Sequence, residues 1–190
     1  MRAHIDYQQP NTGDSEINHR IQVARVKFAQ MSNLFRNFSI NLHVRISFLN
    51  AFVRSRLTYS CQNWNLNKSQ LDRIDVCYRI FLRQMLRGGF KRVDADNGDF
   101  RFRMSNEHVL QLCGVEDVSE FVKRQQINYA AHVVRMSHER SIKRLMFNSD
   151  KCTKPGRRAE TLLEKVVKMR NSSLDAFCND AMNRRIGKSA

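Results

Sequence analysis

The chain has 190 residues, room for one domain with an extension, and its 33 Lys and Arg against 18 Asp and Glu leave a formal charge of +15. An excess of that size favours polyanionic partners and says little about fold. No run of 18 apolar residues occurs, which excludes a membrane-spanning helix, and the polar N-terminus lacks a signal-peptide core. Five widely spaced cysteines, Cys61, Cys77, Cys113, Cys152 and Cys178, fit unpaired thiols in a reducing, intracellular compartment, nucleus or cytoplasm.

Residues 1–13, with Pro10 and Gly13, read as a flexible lead-in, and Asp14 or Ser15 as the cap of a first helix. Its apolar positions, Ile17, Ile21, Ala24, Phe28, Met31 and Phe35, alternate steps of four and three and make a helical stripe. Asn41 suits the next cap. Leu42, Ile46, Leu49, Val53 and Leu57 form a second stripe, widened by Phe48 and Phe52. Residues 59–67 connect it to a third helix over 69–86, whose buried side is expected to be Leu71, Ile74, Tyr78, Phe81, Leu82 and Met85. Trp64, in the connection, is expected to clamp the second helix onto the third. Three such helices pack as a small bundle over 14–87.

Residues 88–104 carry three glycines and three aspartates and read as a loop, with room for a hairpin around Asn97-Gly98. A second helical group spans 105–147: a short helix capped by Ser105 and ending at Gly114, a longer one over 117–137, and a further turn or two. Residues 148–158, with Pro155-Gly156, are a basic linker, and 159–190 a helical segment broken at Asn171-Ser172-Ser173. The fold class is therefore all-α.

Charge placement is more informative than its total. Residues 17–71 contain no Asp or Glu but include Arg20, Arg25, Lys27, Arg36, Arg45, Arg54, Arg56 and Lys68. A solvated face with no partner usually mixes both signs, so one sign over this length suggests a surface that meets phosphate. On the third helix Arg79, Arg83 and Arg87 recur every four residues opposite Leu71, Tyr78 and Leu82. Such repetition repels unless something anionic lies against it. Asp75, one turn before Arg79, is an available partner. Lys91 and Arg92 lengthen the stripe into a candidate phosphate contact. Lys151, Lys154, Arg157 and Arg158, around Pro155-Gly156, form a second basic cluster, able to follow a phosphate backbone or to act as a nuclear import signal. The bland alternatives are a solvated basic face and a simple hinge.

Chemistry beyond binding finds little support. His132 and His138 are separated by five residues and no two cysteines are close, so a zinc site with Cys113 and Cys152 is disfavoured. His132 reads instead as a helix–helix contact. Asp94 and Asp96 fail the EF-hand spacing. No phosphate loop, nucleophile elbow or Ser/His/Asp set is present, so neither catalytic residues, metal nor cofactor are expected. Tyr59 and Trp64 are the candidates for stacking on a base, with burial the commoner fate of a Trp.

A resemblance rests on five blocks in order. Glu16-Ile17-x-x-Arg20-Ile21-x-x-Ala24-x-x-x-Phe28 resembles the helix after the palm of non-LTR retrotransposon reverse transcriptases. Leu57-Thr58-Tyr59-Ser60-Cys61-Gln62-Asn63-Trp64 is similar to the family's L-x-Y-G-x-E-x-W, and Leu82-Arg83-Gln84-Met85-Leu86 to its L-R-x-I-x. Tyr129-Ala130-Ala131-His132-Val133-Val134-Arg135-Met136 resembles W-x-G-H-V-x-R-M, and Gly156-Arg157-Arg158-x-x-Thr161-Leu162 resembles G-R-P-x-x-T-W. The departures, Ser60 for Gly and Gln62 for Glu among them, suggest a drifted copy.

The resemblance implies a thumb-like three-helix bundle and a C-terminal tail that grip RNA or an RNA/DNA duplex by its backbone. The family's adjacent Asp pair, which holds two metal ions, is missing from the sequence. The chain is then expected to be a truncated product or one segment of a longer polymerase, with the other polymerase domains as partners, no membrane, and no nucleotide incorporation alone. A helical protein descended from such an element and used for protein–protein contact, or an unrelated basic RNA-binding protein, are the alternatives.

Overall fold

The computed structural model describes residues 12–86, 92–94, 100–102, 104–147 and 161–183. The chain is all-α, with one two-stranded hairpin among the described residues, and it divides into two compact units. The first comprises Met1–Tyr59 and Leu66–Ser119; the second comprises Ser60–Asn65 and Glu120–Ala190.

In the first unit, α1 (Thr12–Gln30) and the short α2 (Ser32–Arg36) carry the first stripe inward: Ile17, Ile21, Ala24, Phe28 and Phe35 are all buried. The helix begins before Asp14, so neither Asp14 nor Ser15 is its cap. Asp14 turns its carboxylate to Gln70 Nε2 and Arg73 Nη1 instead, at 3.0 Å each. Asn41 does cap α3 (Leu42–Phe48), accepting from the His43 amide. The helix then widens into a π-helical stretch, Leu49–Arg54, and closes in α4 (Ser55–Leu57). Ile46, Leu49, Val53 and Leu57 remain buried through the change of winding.

A capping box formed by Asn67 and Gln70 starts α5 (Lys68–Met85). This helix packs against α1, α2 and α6 (Asn106–Cys113). Enclosure on several sides explains why its buried set exceeds one stripe, adding Gln70, Asp75, Cys77 and Arg83 to the expected Ile74, Tyr78, Phe81, Leu82 and Met85. The Phe28 ring lies 4.8 Å from Phe35 and 4.6 Å from Phe81, near-parallel to both. The buried Tyr78 hydroxyl donates to Asn50 Oδ1 at 2.7 Å. Strands β1 (Arg92–Asp94) and β2 (Phe100–Phe102) pair antiparallel, with Val93 opposite Arg101. They flank the segment holding Asn97-Gly98, where a hairpin was expected. Ser105 caps α6, and Gly114, at φ 62°, ends it in the left-handed conformation that glycine adopts without strain. The next helix, α7 (Val118–Val134), runs from the first unit into the second.

The second unit has a core of Ala130, Ala131, Val133 and Val134 from α7, Met146 from α8 (Ser141–Phe147), Leu163 and Val166 from α9 (Leu162–Met169), and Phe177 and Ala181 from α10 (Leu174–Met182). Thr161 and Glu164 form the capping box of α9 and Ser173 caps α10, so the helical break falls where Asn171-Ser172-Ser173 marks it. Trp64 is buried, but the connection carrying it belongs to this unit. The buried Gln126 amide of α7 donates to the carbonyls of Trp64 (2.7 Å) and Cys61 (3.3 Å). His132 is exposed on α7, not enclosed in a helix–helix contact.

Candidate nucleic-acid interface

The two described members of the arginine stripe are held internally. Arg79 makes a forked pair with Asp117, Nε to Oδ1 at 2.8 Å and Nη2 to Oδ2 at 2.5 Å, while the expected partner Asp75 stands 4.0 Å away. Arg83 is only 4% exposed and donates through Nη2 to Asn106 Oδ1 at 2.9 Å; burial lowers its guanidinium pKa. The stripe therefore is not a phosphate-facing ridge at these positions, because α6 and the start of α7 cover that side of α5. Arg87, Lys91, Lys151, Lys154, Arg157 and Arg158 lie outside the described residues. Of Arg92 only the backbone is described, in β1 opposite Phe102.

Asp75 has a separate role. It is buried, its Oδ1 accepts from the Ser119 amide at 2.8 Å at the start of α7, and burial raises its carboxyl pKa. An acid whose folded pKa lies above its unfolded value stabilises most below the unfolded pKa and loses that contribution as pH rises through the folded one. Asp75→Asn keeps the acceptor oxygen and removes the buried charge. It should be at least as stable as the wild type to urea at pH 7, with any advantage shrinking towards the ordinary Asp range near about 4. A marked loss of stability at pH 7 would refute this account.

The acid-free segment distributes its cations unevenly. Arg45 is buried, and its guanidinium closes carbonyls: Nη1 donates to Phe35 O and Met85 O, both at 2.8 Å, and Nε donates to Ile40 O at 3.1 Å. Phe35 and Met85 sit in the last turns of α2 and α5, where helix carbonyls lack intrahelical partners. Arg20 is paired with Glu16 at 2.7 Å, just before the acid-free interval begins. Arg25, Arg36, Arg56 and Lys68 are exposed, and Lys27 and Arg54 half-buried.

Aromatic groups accompany these cations. The Arg20 guanidinium carbon is 4.7 Å from the Tyr59 ring centre, and Lys27 Nζ is 5.8 Å from that of Phe52. Neither pairing follows from helical periodicity, because Arg20 and Lys27 belong to α1 while Phe52 and Tyr59 belong to the stretch of chain that follows α2. The second unit has a cleft of about 510 Å³ lined by Val134, His138, Phe147, Cys178 and Met182. The Lys143 ammonium at its edge is held by Val134 O and Met136 O at 2.7 and 2.8 Å.

Burial raises the pKa of the Cys61 and Cys113 thiols to about 11, and the four described cysteines are free. Among the described residues no three His, Cys, Asp or Glu gather as metal ligands. None of the described helices is long and apolar enough to cross a membrane. No family model matches the sequence, and no curated protein or solved structure matches it either.

Proposed function

We propose that this chain is the nucleic-acid-binding thumb and C-terminal portion of a non-LTR retrotransposon reverse transcriptase, gripping RNA or an RNA/DNA duplex by its phosphates beside polymerase domains supplied elsewhere. The supporting observation is the acid-free segment 17–71, which leaves Arg25, Arg36, Arg56 and Lys68 exposed on the first unit. The grip moves from the Arg79–Arg83 stripe to these side chains. Ser60 adds support for the family likeness. It stands where the L-x-Y-G pattern has glycine, and its φ of 60° is the left-handed backbone that glycine takes most readily. Binding of this kind is electrostatic and largely independent of sequence. The chain carries no adjacent Asp pair and should extend no primer alone.

A salt titration tests the reading. Affinity for a template–primer duplex should fall log-linearly with salt, and Arg36→Ala, Arg56→Ala and Lys68→Ala should each reduce the slope by about 1. Affinity indifferent to salt would remove the proposal. It would favour the second reading, a helical protein descended from such an element and used for protein contact, which the internal pairing of Arg79 and Arg83 also favours.

A further inference from the structure

Three of the four exposed aromatic rings among the described residues of the first unit lie in the segment 42–59: Phe48 is 38% exposed, Phe52 41% and Tyr59 64%. Phe48 and Phe52 are one turn apart, with planes 12° from parallel and centres 6.0 Å apart. Tyr59 follows Phe52 by seven residues. The cations beside Phe52 and Tyr59, Lys27 and Arg20, are seven residues apart on α1, which places them on one side of that helix, roughly 10 Å apart along its axis. Phe52 and Tyr59 therefore lie along the seam between α1 and the segment 42–59, each with a cation over its ring, and Phe48 stands one turn from Phe52. No carboxylate occurs over residues 17–71, and Glu16, just before that interval, is bound to Arg20.

We infer that this ledge binds unpaired bases of a single-stranded nucleic acid, stacking them on Phe48, Phe52 and Tyr59 while Lys27, Arg56 and neighbouring cations meet the phosphates. Flat exposed rings interleaved with cations suit a strand whose base faces are free, and a paired duplex keeps those faces inside its own stack. A protein partner for an apolar ledge this basic would have to be acidic. An unpaired polynucleotide supplies both the anion and the flat apolar face, so it matches the two features together. The inference rests on the proposed nucleic-acid function and specifies the form of nucleic acid that this surface takes.

The test compares short oligouridylate, short oligothymidylate and a blunt duplex of similar length, measured by fluorescence anisotropy with the full chain. Phe52→Ala and Tyr59→Ala should each weaken binding of the single strands about tenfold, change duplex affinity by less than about twofold, and leave the salt slope in place. Phe52→Tyr should retain single-strand affinity, which separates loss of stacking from loss of fold. The two oligonucleotides show whether RNA and DNA are held alike, as stacking alone requires. Unchanged single-strand affinity in the alanine variants, with salt-dependent binding intact, would overturn the ledge and leave the phosphate grip standing. Absence of salt-dependent binding to every probe would remove both. A dimer by sedimentation that the alanine variants convert to monomer would overturn the inference by making the ledge a self-association surface.

Discussion

Replacing Arg45 with alanine should lower the stability of the first unit by about 3–5 kcal/mol, measured by urea unfolding. The guanidinium donates to Phe35 O, Met85 O and Ile40 O, and its removal strands these carbonyls where water has poor access. A hydrogen bond from a charged donor contributes about 1.5–3 kcal/mol, and an unsatisfied buried acceptor bears its desolvation cost. The sum is discounted because the site can partly collapse or admit a water. Phe38, whose ring lies 5.2 Å from the guanidinium carbon, also loses its cation. Arg45→Lys should fall between wild type and alanine, since one ammonium can reach toward the two helix ends that Nη1 serves but lacks the second nitrogen that donates to Ile40 O. As the charge is buried, the salt slope of nucleic-acid binding should not change where the variant is folded. A stability loss under about 1 kcal/mol would mean that the three bonds do not hold the bundle together.

Phe177→Ala should cost the second unit about 3–5 kcal/mol. The buried core residues around it are Ala, Val, Leu and Met, and Phe177 is the largest side chain among them, at 0% exposure. Close-packed neighbours relax only partly into the space left by a ring, so the cavity penalty adds to the lost transfer energy. Hydrogen exchange read helix by helix should show α8, α9 and α10 losing protection together, as expected if they share one core. Phe177→Leu should recover much of the loss. Protection of these helices unchanged in Phe177→Ala would show that α10 does not support the cluster.

The sequence and the structure part company at identifiable places. Asn41, Ser105 and the Asn171-Ser172-Ser173 break were legible because a cap acts within three residues of its own position. Asp14 looked equally like a cap and is not one, since Gln70 and Arg73 draw its carboxylate towards α5. The π-helical stretch at Leu49–Arg54 left no trace in a stripe that kept its spacing of three and four. The aromatic row was half visible: Phe48 and Phe52 stood out as an addition to the second stripe and Tyr59 as a stacking candidate. Nothing local indicated that all three stay exposed with α1 cations beside two of them.

What the residues fixed unaided was helical identity, the caps and the one-sided charge of 17–71, because each is a matter of composition or of neighbours within a turn or two. Which cations are available to a partner was decided by tertiary structure. Arg79 found Asp117 across 38 positions, Arg83 found Asn106 across 23, and Arg45 found the end of α5 across 40. A guanidinium takes whichever acceptor the packing brings within about 3 Å, and no periodicity records a partner so far along the chain.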